Sequence, residues 1–97
     1  MEINHKLEGD EGRFVVSVEG KEAGYLKYKI LENGNLNANG TLVYDEYKDQ
    51  KLGKPLFDAL VEHLKTNNLK VFPTCPYVVL MFKKNPDLAD LLADDYK

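Results

Sequence analysis

Leu56, Phe57, Leu60, Val61 and Leu64 recur at helical spacing, while Asp58, Glu62 and Lys65 fall between them on the opposite side. This stripe predicts an amphipathic α-helix from about Lys54 to Asn67. Pro55 suits its first turn, where a missing N–H leaves nothing unsatisfied, and "TNN" closes it. A helix with one apolar face needs a surface to bury that face against, and the flanking sequence supplies one.

Upstream of the helix the period changes from 3.6 to 2. In "RFVVSVE" (13–19), Phe14, Val16 and Val18 share a face, as a half-buried strand requires. A turn around Gly20 leads to "AGYLKYKIL", with Leu26, Tyr28 and Ile30 on one side. Asn33-Gly34 is a strong hairpin signal before a third strand, "LNANGTLVY". Together these predict an antiparallel meander. Downstream, "LKVFPTC" (69–75) reads as a fourth strand, which a crossover helix would set parallel to the third. "PYVVLMFKK" reads as an apolar helix. "NPDLADLL" reads as a last helix, with Asn85 as its cap and Pro86 at its first position. The expected fold class is α+β: a mixed, mostly antiparallel sheet against a central amphipathic helix and C-terminal helices.

A length of 97 residues provides one modest core, so one domain spanning 1–97 is expected. The net charge of −3 speaks against general nucleic-acid binding. Cys75 is the lone cysteine, and with only His5 and His63 beside it no metal-ligand spacing emerges. "MEINHKLEGDEGR" is polar and has no export-signal pattern, and no apolar run is long enough to span a bilayer. The expectation is a cytoplasmic protein without membrane or nucleic-acid partners, a monomer or weak dimer.

The most specific chemistry lies where the loop meets the helix, in "KDQKLGK". A helix start presents free N–H groups and the positive end of the dipole, which together favour an anion. Lys48, Lys51 and Lys54 surround this start at intervals of three, with Gly53 between them. Spacing alone favours a solvated, lysine-rich helix entry, since surface charges near helix ends are common.

The order of motifs adds to this. Thr41-Leu42-Val43 at a strand end, the loop Lys48 to Gly53, the amphipathic helix and then "PTCPYV" (73–78) follow one another. Over residues 23–92 this order resembles the small, single-domain branch of the GNAT acetyltransferase superfamily, the YjdJ-like group. The resemblance implies an acetyl-CoA-dependent N-acetyltransferase with an amine or protein acceptor. It places the pyrophosphate on the amides of Asp49, Gln50, Lys51, Leu52, Gly53 and Lys54, near Lys48. The pantetheine arm would run along Leu42, Val43 and Tyr44. Three departures stand out: Lys48 where Arg or Gln is usual, Lys51 where the first glycine of the loop is expected, and Gly40 where many relatives have histidine. Lys51 would strain the backbone if that glycine had positive φ, yet it adds a cation beside two phosphates.

Acetyl transfer needs a proton taken from the amine, a polarised carbonyl and a protonated leaving thiolate. Tyr77 is the candidate for the last of these, or an ordinary packing residue. Cys75 is a nucleophile, a lining residue or a buried thiol. His63, Asp45 and Glu46 do not make a clear general base. The alternative is a non-catalytic CoA-binding or interaction protein that keeps this fold with a degraded loop.

Overall fold

The computed structural model describes residues 1–96. Four strands lie in sequence order in one antiparallel sheet: β1 (Glu2–Glu8), β2 (Glu11–Val18), β3 (Lys21–Ile30) and β4 (Leu36–Val43). Two α-helices follow, α1 (Gly53–Asn67) and α2 (Pro76–Lys84). The fold class is α+β.

The alternation read from the sequence sets the register. Phe14 lies opposite Leu26, Gly12 opposite Tyr28 and Ile30 opposite Leu36, so one face is continuously apolar. α1 packs on that face through Leu56, Phe57, Leu60, Val61 and Leu64, all buried. Phe82 of α2 meets Phe57 edge-on at 5.2 Å, which puts both helices on the same side. The turn between β2 and β3 is Glu19–Gly20, both at positive φ, the backbone that matches the twist of a tight hairpin.

β1 is an element the sequence reading does not contain. The N-terminal segment is polar overall, but Ile3 and His5 alternate with Glu2, Asn4 and Lys6, and β1 pairs with β2 along its whole length. Its apolar face is small, so total polarity masks the period.

The segment 69–75 is a correction. It runs parallel beside β4 only as an isolated bridge between Leu36 and Val71. The Leu36 N–H donates to the Lys70 carbonyl (2.9 Å) and the Phe72 N–H to the Leu36 carbonyl (2.7 Å). Pro73 then has no N–H to continue the ladder. The Asn37 side chain fills in, its Nδ2 donating to the Phe72 carbonyl at 2.8 Å. The last contacts are the Thr74 and Cys75 N–H groups, both donating to the Ala38 carbonyl (2.9 and 3.0 Å). Past Ala38 the two chains part. β4 continues to Val43, while Pro76 starts α2.

The last predicted helix is also corrected. Pro86–Leu91 is a 3₁₀ helix. It cannot run on as an α-helix because the Val71 N–H donates to the Leu91 carbonyl and the Ala93 N–H to the Val71 carbonyl (2.8 Å each), drawing the chain into a bridge. Asn85 does not cap this segment with its side chain. Its Nδ2 donates back to the Met81 carbonyl (2.7 Å), closing the end of α2. No described helix is long and apolar enough to cross a membrane.

Candidate functional site

The parting of β4 from the chain after Ala38 opens a cleft of about 560 Å³. Thr41 and Val43 of β4 form one wall. Tyr77, Leu80, Met81 and Lys84 of α2 form the other. Lys48, Lys51, Leu52, Gly53 and Lys54, at the start of α1, close one end. The walls are largely apolar and the end is basic. Among the described residues lining the cleft are four lysines and no aspartate, glutamate or histidine, in a chain of net charge −3.

Local sequence explains the basic end. Asp45–Gln50 is a 3₁₀ helix, whose repeat ties each N–H to the carbonyl three residues back. The amides of Asp49 and Gln50 belong to that helix, and neither residue lines the cleft. Lys51 ends it in the left-handed region (φ 54°, ψ 45°), so the backbone here is one that glycine adopts freely and lysine does not. Leu52 turns into α1 without a side-chain cap, leaving N–H groups of the first turn open. The lysines differ in freedom. Lys48 pairs with Asp45 (3.0 Å) and Lys54 with Asp58 (3.1 Å), both across exposed surface where such pairs are worth little. Lys51 and Lys84 have no ion-pair partner among the described residues.

Gly53 has negative φ, so its role is not backbone freedom. A Cβ on it would stand 2.8 Å from Cζ and from the hydroxyl oxygen of Tyr77. The glycine lets the phenol lie on the helix start and brings its hydroxyl to the cleft. Burial pushes the Tyr77 hydroxyl above its ordinary pKa, with Lys54 opposing and Asp58 and Cys75 adding to the rise. Tyr77, like any phenol at physiological pH, is a neutral O–H donor, and the rise reinforces this.

Cys75 is buried at 4% exposure and does not line the cleft. Its thiol donates to Thr41 Oγ1 at 3.3 Å, so the cleft presents the threonine with the sulfur behind it. Leu42 faces the opposite side of the sheet, paired with Tyr25 and 47% exposed. The Tyr44 hydroxyl is held by Glu22, and that hydrogen bond raises its pKa. Neither side chain lines the cleft. The structure thus gathers Val43, Lys48, Lys51, Leu52, Gly53, Lys54 and Tyr77, and leaves Leu42, Tyr44, Asp49, Gln50 and Cys75 outside the lining. Sequence reasoning missed Thr41, Leu80, Met81 and Lys84. The signal for three of them was present: 77, 80, 81 and 84 form one helical face.

The model of the GCN5-related N-acetyl-transferase family matches residues 13–91. No curated protein matches the chain. The solution structure of a GCN5-like protein from Staphylococcus aureus is similar, with 28% identity over 93% of this chain and 87% of that one, at a TM-score of 0.69. The ribosomal-protein-alanine N-acetyltransferase of Brucella melitensis shares the fold at 15% identity and TM-score 0.63, over 79% of this chain and 65% of that one. AAC(6')-Iy, in complex with the bisubstrate analogue CoA-S-monomethyl-acetylneamine, shares it at 13% identity and TM-score 0.56, over 84% and 62%. This chain spans less than two thirds of the length of those last two. With the family pattern running through β2, β3, β4 and both helices, the chain belongs to the GCN5-related N-acetyltransferases.

Proposed function

We propose that this protein transfers an acetyl group from acetyl-CoA to an amine. The single observation that carries the reading is the cleft itself: an apolar trough closed at one end by three lysines and a helix start, with a fourth lysine, Lys84, on its α2 wall and no carboxylate among the described residues of its lining. A pantetheine arm is long and weakly polar, and a pyrophosphate is doubly anionic, so the two halves of the cleft fit the two parts of that cosubstrate. Acetyl-CoA supplies an activated acyl group on a thiol leaving group.

The chain's own residues do the rest. The open amides at the start of α1 and the ammonium groups of Lys48, Lys51, Lys54 and Lys84 hold the phosphates. Leu52, Leu80 and Met81 exclude water from the trough. The edge of β4 at Thr41–Val43, with no strand beside it among the described residues, offers backbone N–H groups to polarise the acyl carbonyl. Tyr77, a phenol protonated at physiological pH, gives its proton to the departing thiolate.

One observation favours a second reading, a CoA-binding protein without turnover. The described lining has no histidine or carboxylate to take a proton from the amine, and Gly40 brings no side chain to β4. Transfer then depends on an amine that arrives neutral or loses its proton to water. The test is a thermal-shift titration with acetyl-CoA at low and moderate salt, followed by a thiol-release assay over an amine panel. A ligand that binds the folded state alone raises Tm. A rise that shrinks with salt, with thiol release, is the expected result. A rise without release selects the second reading. No rise at millimolar acetyl-CoA overturns both.

A further inference from the structure

The two edges of the sheet are treated differently. Beside β4 the chain closes its own edge as far as Ala38 and then opens the cleft. At the other side β1 is outermost, paired with β2 in unbroken register from Glu2↔Ser17 to Glu8↔Glu11, with no further strand beside it among the described residues. Native sheets blunt such an edge with proline, a bulge, charge turned inward or charged side chains along the strand, lysine above all. β1 has no proline and no bulge, and its charges Glu2, Lys6 and Glu8 alternate onto the face away from the helices. Met1 and Leu7 are among the most exposed large apolar residues, at 71% and 59%.

We infer that β1 is a self-pairing edge, to which the β1 of a second copy of this chain adds antiparallel about a two-fold axis at Asn4. The argument is one of register. If the helix-bearing faces of two sheets are to be continuous, residues of one face must oppose residues of the same face, so the two numbers facing each other sum to an even total. Centred on Asn4, Glu2 faces Lys6 of the other copy, twice by symmetry, and Met1 faces Leu7, also twice. Ile3 then faces His5. Centring on His5 sets Glu2 against Glu8, a like-charge pair. Centring on Ile3 sets Glu2 against Asn4 and brings Lys6 and Leu7 against no residue of β1. The Asn4 register alone couples opposite charges and covers both exposed apolar residues. This does not rest on the proposed activity, since β1 lies at the far edge of the sheet from the cleft.

One strand pair buries little area, so the association is one that dilution reverses. Sedimentation equilibrium of the full chain over a roughly hundredfold concentration series tests it, with the two charge reversals Glu2→Lys and Lys6→Glu. Both side chains are exposed and lie opposite Ser17 and Arg13 of β2, so neither reversal buries a charge or opposes like charges within the chain. The wild type is expected to pass from monomer to dimer. Each variant alone opposes like charges twice and dimerises about tenfold more weakly. In an equimolar mixture of the two, positions 2 and 6 again carry opposite charges wherever they face each other across the axis, so the wild-type affinity returns as a heterodimer. A wild type that stays monomeric throughout, variants that associate as well as the wild type, or a mixture no tighter than its components each overturn the inference.

Discussion

The phenol of Tyr77 rests on the Cα of Gly53, where an added methyl would approach its Cζ and hydroxyl to 2.8 Å. This contact joins the starts of α1 and α2 and fixes the mouth of the cleft. Gly53→Ala is expected to destabilise the protein by about 1–2 kcal/mol through overpacking. Tyr77→Leu removes the obstructing ring, so the double variant should lose less stability than the two single changes added together. Urea denaturation of the four proteins measures this. Strict additivity would show that the two residues do not touch.

Lys51 occupies a left-handed backbone conformation that costs a non-glycine residue about 1–2 kcal/mol, of which glycine's extra unfolded-state entropy returns part. Lys51→Gly is expected to stabilise the protein by about 0.5–1 kcal/mol, or roughly 3–6 °C in Tm. Acetyl-CoA affinity moves the other way, because the variant loses an ammonium group at the cleft that no carboxylate among the described residues neutralises. A calorimetric titration that finds tighter binding in the glycine variant would make Lys51 an obstacle and not a ligand.

How far the sequence could be read follows from what each signal depends on. The stripe on α1 and the alternation in β2 to β4 are local periods, and all five predicted α1 residues are buried. What failed was set by distant pairing. Segment 69–75 looks like a strand, but Pro73 interrupts its ladder, and the segment after Pro86 looks like an α-helix until Val71 draws Leu91 and Ala93 to itself. The lysine loop was legible as a helix start. The fourth lysine was not, because Lys84 lies far along the chain from the other three and reaches the site only through the face of α2.

The chain's two histidines, far apart in sequence, meet over the sheet with ring centroids 4.6 Å apart. His5 stacks on Phe14 at 4.4 Å, and its Nε2 and the hydroxyl of buried Tyr28 share a hydrogen bond of 2.6 Å. Burial lowers the pKa of both, and for His63 the neighbouring His5 lowers it further. The unfolded chain therefore binds protons near the ordinary pKa of about 6.5 that the folded chain resists. Stability is full above that value and is lost as pH falls through it towards the folded pKa values. Tm should decline between about pH 7.5 and 5, and His63→Gln should flatten the decline. An unchanged slope in that variant would place the pH dependence elsewhere.

Cys75 bears on whether transfer is direct. Its thiol is buried, donates to Thr41 Oγ1 and stands behind the cleft wall, so an incoming acyl group meets the threonine first. Direct transfer predicts that Cys75→Ala keeps kcat within a few-fold. It also predicts that Tyr77→Phe, which removes the proton donor but keeps the ring, lowers kcat by roughly a hundredfold with little change in KM. Rapid-quench kinetics separates the alternatives. A burst of thiol release before steady state, abolished by Cys75→Ala, would require an acyl-cysteine intermediate and with it a movement of Thr41 to expose the sulfur. Single-phase release in both proteins is the outcome the geometry favours, because Cys75, the one thiol of the chain, is buried and does not line the cleft.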